Sequence, residues 1–295
     1  MLNEVMSQFS IKDIEHLTGI RAHTLRIWEQ RYNLPRPKRT PGNVRYYDDE
    51  DLRLLLNIST LNKNGHRISE IVRMTEEEMG KKAFDVAVGS GNSSAHIQSL
   101  ATCMLDLDET TFNRVLGSSI LQSGLERTMM EVIFPFMSMI GVLWQSGTLD
   151  PAYEHFMSCL IRQKLIVAID AQDVKPTIDP KNFLLLLPEG EFHELGLLFG
   201  NYLIRAAGHR ALYLGTNLPM PDLERLMQSF RPDYILTSIT AGFSRFSAQQ
   251  VIDELSKKFP GSQLLLTGNV FLNSKEHFTG DIHFIHAPAD LQRYL

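Results

Sequence analysis

The stretch Phe183-Leu184-Leu185-Leu186-Leu187-Pro188-Glu189-Gly190-Glu191-Phe192-His193-Glu194-Leu195-Gly196 decides the fold. A short apolar run closed by Pro188 and Gly190 predicts a strand buried on both faces, as in a parallel sheet. Leu195, Phe199, Tyr202 and Leu203 recur at helical spacing as far as Gly208, a stop signal. Ala211 to Leu214 predicts the next strand, closed by Gly215 and Pro219. The unit is β-loop-α-β, and its first loop lies where open α/β sheets hold ligands, at the carboxyl end of a strand. That loop carries His193, with Glu191 two positions earlier. The pair suits an imidazole whose ring a carboxylate orients. A solvent-facing histidine on a polar loop is the plain alternative.

Some chemistries are excluded at once. His193-Glu194 begins an H-E-x-x-H pattern, but Leu197 stands where a zinc protease needs its second histidine. Neither G-x-G-x-x-G nor G-x-x-x-x-G-K-[ST] is present, so both standard phosphate cradles are missing. Further along, Tyr234–Ser238, Gln263–Thr267 and Ile282–Ile285 predict three more strands. Ala248–Phe259 and Asp290–Leu295 predict helices. Five strands alternating with helices predict a doubly wound, flavodoxin-like parallel sheet over 182–295, in the order 2-1-3-4-5.

Upstream of that sheet, Asp173 to Asn182, with Pro176 and Pro180, reads as a linker. Residues 83–173 read as a helical bundle. Its clearest segments are Asp108–Gln122, Leu125–Gln145 and Ala152–Gln172, broken at Ser123-Gly124 and before Pro151. Phe134, Phe136, Met137, Met139 and Met157 are expected in its core. Trp144 ends one helix and Glu154-His155 opens the next, so the turn between can gather an aromatic plate, a carboxylate and an imidazole. Such a group suits a large flat ligand, with a helix-end packing cluster as the alternative.

The first 75 residues have another character. Ser10 with Asp13 opens a helix carrying Ile11, Ile14 and Leu17, and Thr18-Gly19 turns it. A second helix follows from Arg21 to Tyr32. Leu25, Trp28 and Tyr32 share its inner face, while His23, Arg26, Ile27 and Gln30 point away. This is a helix-turn-helix whose second helix reads DNA. Pro41-Gly42 turns a short ribbon that follows. Between Arg21 and Arg45 stand seven Arg or Lys residues against one acid, Glu29. In a chain of net charge -5 that cluster is the footprint of a phosphate backbone. Asp48 with Asp51 caps a third helix through Leu52, Leu55, Leu56, Ser59 and Leu61, and Ile68–Met74 predicts a fourth. Thr75-Glu76-Glu77-Glu78 reads as an acidic connector.

Composition is that of a globular chain, 43% hydrophobic and 21% charged over 295 residues, long enough for two or three domains. Cys103 and Cys159, without C-x-x-C, indicate neither a disulfide framework nor a thiolate metal site. Met1 does not lead into a signal peptide, and the apolar run from Val132 to Trp144 is too short for a bilayer. A cytoplasmic protein, at the nucleoid and without membrane contact, is expected.

Phe9 to about Met74 resembles the winged-helix domain of the MerR family of bacterial regulators. Thr24-Leu25-Arg26-x-Trp28-Glu29-x-Arg31 and Arg45-x-Tyr47-x-x-Glu50-Asp51-Leu52 carry that resemblance most specifically. The long heptad helix through which many members dimerise does not follow. The remainder is similar to cobalamin-binding modules of methionine synthase type, through Trp144 with Glu154-His155 and then Glu191-x-His193-x-x-Gly196. With Glu191 in place of Asp, and Gly215-x-x-x-Pro219, the chain looks like MerR-type regulators of the CarH and LitR kind.

That resemblance implies parts for particular residues. His193 would be the lower cobalt ligand, held by Glu191. Gly196, Ser238, Thr240 and Gly268 would line the slot for the nucleotide tail. Trp144, Glu154 and His155 would cover the upper face of adenosylcobalamin or methylcobalamin. Three positions depart from the pattern: Gln145 stands where photoreceptor members have a histidine, Thr240 replaces an aliphatic residue, and Asn269 replaces a second glycine. An amide is a poor cobalt ligand, which bears against trapping a photoproduct.

The expectation is a sequence-specific DNA-binding regulator, a repressor, whose C-terminal module binds a cobalamin and controls oligomerisation. Its parts would be 1–75 for DNA, 83–173 as the helical cap and 182–295 as the cobalamin domain. Arg26, Arg31, Arg45, Tyr46 and Thr24 are expected mainly on phosphates, and His23, Ile27 and Gln30 at base edges. The partners implied are double-stranded operator DNA, a second copy in a dimer or tetramer, and RNA polymerase. The alternative is a module that has lost its cofactor and serves association alone. An enzyme is not expected, since no catalytic barrel accompanies the module.

Overall fold

The computed structural model describes residues 8–40, 42–89, 92–145, 149–173, 175–240, 247–272 and 278–295, without the side chains of 144, 145, 222, 224, 225, 227 and 272. Two compact units divide the chain, Met1–Leu160 and Ile161–Leu295.

In the first unit, α1 (Ile11–Thr18) opens on a capping box between Ser10 and Asp13 and ends at Gly19, with φ of 71°. Helix α2 (Ala22–Tyr32) buries Leu25 and Trp28. A two-residue ribbon, β1 (Lys38–Arg39) and β2 (Arg45–Tyr46), pairs antiparallel. Pro41 of its expected turn lies outside the described residues. Asp48 and Asp51 cap α3 (Asp49–Lys63), which buries Leu52, Leu55, Leu56, Ser59 and Leu61. Helix α4 is only Ile68–Ile71, shorter than the expected run to Met74, which ends in hydrogen-bonded turns.

The expected acidic connector is instead the start of a helix. Thr75 Oγ1 accepts from the Glu78 N–H at 3.2 Å, and a Glu78 oxygen accepts from the Thr75 N–H at 2.8 Å. This reciprocal cap, with acids filling the first turn, favours a helix N-terminus, and α5 runs Glu76–Gly89. Helices α6 (Ser93–Asp106), α7 (Glu109–Thr128) and α8 (Phe134–Gln145) follow, then α9 (Pro151–Asp170), whose residues from Ile161 on belong to the second unit, and α3 packs on both α5 and α6.

The expected break at Ser123-Gly124 is present inside α7, where Gly124 has φ 80° and ψ 163°. A π turn, Met129–Ile133, joins α7 to α8 and was not legible in the periodicity. Pro135 explains it: its ring clashes with the carbonyl four residues back, and a wider turn relieves the clash. Phe136, Met139 and Met157 are buried as expected, whereas Phe134 and Met137 are only partly so. They stand at the margin of the buried stripe Phe136-Met139-Ile140-Leu143.

The second unit is a five-stranded parallel sheet in the order β4-β3-β5-β6-β7, the predicted 2-1-3-4-5 winding. Its strands are β3 (Asn182–Pro188), β4 (Arg210–Leu218), β5 (Tyr234–Ser238), β6 (Gln263–Thr267) and β7 (Ile282–Phe284). Helix α10 (Leu195–Ala206) crosses from β3 to β4. The leucine run of β3 is buried on both faces. Leu184 and Leu186 pack with Ile235, Leu264, Val251 and Ile252 on one side. On the other, Gly200 lets α10 approach β5, since a Cβ there would stand 2.7 Å from Leu236.

Between β4 and β5 a 3-10 turn at Met220–Asp222 leads into α11 (Leu223–Ser229). Helices α12 (Ala248–Lys258) and α13 (Asn269–Leu272) flank β6. The expected closing helix is split into α14 (Pro288–Leu291) and a 3-10 turn, Gln292–Tyr294. No helix of the described residues is long and apolar enough to cross a membrane.

Candidate functional site

On α2, Trp28 and Leu25 anchor the inner face, which turns His23, Arg26, Ile27, Gln30 and Arg31 outward, while Thr24 is half-buried. Ile27 is 43% exposed, an apolar side chain on a polar face and of the kind that meets a thymine methyl. At the ribbon, Arg45 is exposed and its Nε lies 3.7 Å from Glu29. Glu29 also accepts from the buried Tyr47 hydroxyl at 2.8 Å, so the lone acid of the basic stretch links α2 to the ribbon. Tyr46 is half-buried. Val44, 64% exposed at the ribbon tip, is an apolar side chain that charge counting passes over.

Glu154 and His155, in the first turn of α9, lie side by side, with Oε2 3.3 Å from Nδ1 and the imidazole mostly exposed. Trp144 closes α8, and its side chain, like that of Gln145, lies outside the described residues.

The loop after β3 is tightly built. Gly190 N–H donates to Asn217 Oδ1 at 2.8 Å and Asn217 N–H donates to the Glu191 carbonyl at 3.1 Å, which ties the loop to the end of β4. Asn217 has φ of 54°, a left-handed position that Asn tolerates. Glu191 is 1% exposed. Its Oε1 accepts from the backbone N–H groups of Phe192 and His193, each at 2.9 Å, and lies 2.6 Å from His193 Nδ1. Its Oε2 accepts from the Thr240 N–H at 2.6 Å. Burial alone would raise this carboxyl. The His193 ring and the His193 and Thr240 N–H groups outweigh it and bring the pKa down to about 2. A carboxylate so held keeps the proton of His193 on Nδ1 and the lone pair on Nε2. The ring is half exposed, beside a 64% exposed Phe192.

Four of the predicted residues therefore meet here: Glu191, His193, Thr240 and, through a 3.4 Å hydroxyl contact with Thr240, Ser238. Gly268 adjoins them, but its glycine serves the chain itself. Its φ is 95°, and a Cβ would stand 2.4 Å from the Ile239 carbonyl oxygen and 2.6 Å from Ser238 Oγ. Gly196 is the reverse case: a Cβ there would meet nothing within 4 Å, so the fold gives no reason for glycine.

Residues 9–78 match the family model of the MerR HTH family regulatory protein, and residues 96–168 match that of the B12 binding domain. This chain joins a MerR helix-turn-helix to a B12-binding domain. It is homologous to two Myxococcus xanthus proteins, the HTH-type transcriptional repressors CarH and CarA. Identity to CarH is 29%, over 85% of this chain and 85% of CarH; identity to CarA is 29%, over 90% and 88%. In fold it is similar to a Methanosarcina barkeri monomethylamine corrinoid protein, at a TM-score of 0.51 and 13% identity. That match covers 75% of this chain and 98% of the other.

The residues of the MerR–B12 chain fit a cobalamin on their own chemistry. Among the described residues no group of three or more His, Cys, Asp or Glu could hold a bare metal ion. One oriented imidazole supplies one ligand, which suits a metal that arrives with its other ligands in a macrocycle. The open Cβ direction at Gly196 leaves room for a chain passing close to α10.

Proposed function

We propose that this MerR-type regulator binds operator DNA through α2 and the ribbon and uses a cobalamin as its sensed ligand. One observation carries the sensor half of this reading: His193 Nδ1 lies 2.6 Å from a carboxylate that three backbone N–H groups also hold. An imidazole so oriented presents Nε2 as a basic, fixed donor.

His193 would then be the lower cobalt ligand, and Glu191 its orienting acceptor. Ser238, Thr240, Gly196 and Gly268 would lie along the nucleotide tail. Trp144, Glu154 and His155, within the segment matching the B12 binding domain, would meet the upper axial group. Bound, the cofactor would supply an alkylcobalt centre whose carbon–cobalt bond light or thiols can break. In the head, Arg26, Arg31, Arg45, Tyr46 and Thr24 would contact phosphates, and His23, Ile27 and Gln30 base edges.

Cobalamin would control how subunits associate, and through effective concentration how many heads engage one operator. The sign would be repression, as the names of the two Myxococcus xanthus relatives suggest, in the bacterial cytoplasm and with RNA polymerase as the competitor at the promoter. The domains acting in this scheme would be 1–75, 83–173 and 182–295.

Incubation with adenosylcobalamin in the dark, followed by desalting, tests the sensor. Coloured protein with a His-ligated spectrum that His193→Ala abolishes supports it. Colourless protein removes it and leaves the second reading, a cofactor-free association module, which Asn269 beside Gly268 favours. Gln145, an amide and a poor cobalt ligand, bears against a light response, and sizing before and after illumination tests it.

A further inference from the structure

Glu194 stands between His193 and the first turn of α10 and takes no part in the Glu191 pair. Its side chain, 12% exposed, receives one donor on each oxygen. The Tyr213 hydroxyl of β4 lies 2.5 Å from Oε2, and Arg162 Nε of α9 lies 2.5 Å from Oε1. Both are charge-assisted bonds. Glu194 is also the N-cap residue of α10, yet its side chain makes no capping bond. An acid there ordinarily accepts from the first turn. This one is directed away from its own helix, toward a strand and a second helix. The histidine is thus bracketed by carboxylates with separate duties. Glu191 grips the ring, and Glu194 fastens the main chain that carries it.

We propose that Glu194, clamped by Tyr213 and Arg162, is a positioning residue that sets where the His193 imidazole stands, with Arg162 the detachable half of the clamp. The proposal builds on the reading of His193 as a cobalt ligand. Tyr213 rises from the sheet, so its bond to Glu194 moves only with the fold. Arg162 is 53% exposed, and its guanidinium can leave without opening a void. A displacement of α9 at Arg162 therefore reaches His193 through two contacts, Arg162 to Glu194 and Glu194 to the neighbouring residue. Groups that orient a metal ligand typically change affinity by about ten- to hundredfold when lost.

The test uses the full chain with nitrogen-15 histidine. Long-range proton–nitrogen spectra of the cofactor-free protein report the His193 tautomer. The cob(II)alamin complex reports the axial nitrogen by electron paramagnetic resonance, as a doublet from labelled histidine instead of the triplet from the cofactor's own base. R162M and E194A should move His193 from the Nδ1–H toward the Nε2–H tautomer, weaken cob(II)alamin binding about ten- to hundredfold and diminish the doublet. R162K should fall between R162M and the parent. Parent-like tautomer and doublet in R162M overturn the proposal. Should E194A fail to fold, R162M and Y213F decide by the same spectra. A parent that shows no doublet at all removes His193 as a cobalt ligand, and the tautomer comparison still decides the clamp.

Discussion

The side chain of Gln98, on α6, donates from Nε2 to the carbonyl oxygen of Thr18, the last residue of α1, across 3.1 Å in a buried setting. The same nitrogen reaches Ser59 Oγ at 2.8 Å, and Gln98 Oε1 accepts from the Thr60 hydroxyl at 2.7 Å. Ser59 Oγ also donates to Thr18 O at 2.7 Å. A carbonyl at a helix C-terminus has no partner in its own helix. Here three side chains donate to it, Ser59 and Lys63 of α3 and Gln98 from the segment matching the B12 binding domain. The DNA-reading helices and the helices after them are therefore joined through buried polar bonds as well as apolar packing. Gln98→Leu should cost the first unit about 1 kcal/mol, because the Ser59 hydroxyl and Lys63 Nζ still donate to Thr18 O and the Thr60 hydroxyl to Leu56 O. Denaturant unfolding followed at Trp28 checks it, and an unchanged midpoint would show the network to be dispensable.

His96 is 2% exposed, and neither ring nitrogen has a hydrogen-bond partner among the described residues. Burial lowers its pKa from the ordinary value. The unfolded chain then takes up a proton near pH 6.5 that the folded chain refuses. The stability this neutral ring supports is complete above pH 6.5 and declines as the pH falls below it. His96→Leu should flatten that decline between pH 7 and 5. A slope identical in parent and variant would assign the pH dependence to other groups.

Gly268→Ala should destabilise the second unit by about 1–3 kcal/mol, because the left-handed φ is strained for alanine. The methyl also meets the Ile239 carbonyl and Ser238 Oγ at distances that force a shift. Thermal melting measures the loss. The same variant should weaken cobalamin retention after desalting, since the segment that must move includes the neighbours of Thr240, whose N–H holds Glu191.

Arg26→Ala should weaken binding to specific and random duplexes alike and reduce the slope of log affinity against log salt by about 1. Ile27→Ala should instead act on specific sites, as loss of an apolar base-edge contact does. Fluorescence anisotropy titrations at several salt concentrations separate the two. Equal loss on both duplexes for Ile27→Ala would remove it from base reading.

Where the chain's own periodicity is strong, the sequence was a sufficient guide. The leucine run of β3 demanded cover on both faces, and strands at the predicted places take the predicted order. Ser10 and Asp48 marked helix starts because their caps lie within four residues of sequence. Thr75 and Glu78 carry the same chemistry, but the charge run masks it, so the stretch reads as a connector and folds as a helix. The site divides along the same line. Glu191 and His193 are two residues apart and readable together. The Thr240 N–H, Asn217, Tyr213 and Arg162 reach the loop only through the winding of the sheet and helices, and no local pattern announces them. Gln98 was equally hidden, since its partners lie 38 to 80 residues away.

The wide turn at Met129–Ile133 sets the azimuth of everything after it in that rod. Winding one further residue into a turn rotates the following backbone by about 100° relative to an unbroken α-helix. The side of α8 that a helical wheel drawn from Leu125, after the Gly124 break, would send inward is therefore carried round by more than a quarter of a circle. Trp144 inherits that rotation. Replacing Pro135 by alanine would let the rod rewind and would steer the indole's attachment point to a new bearing, with no change at position 144.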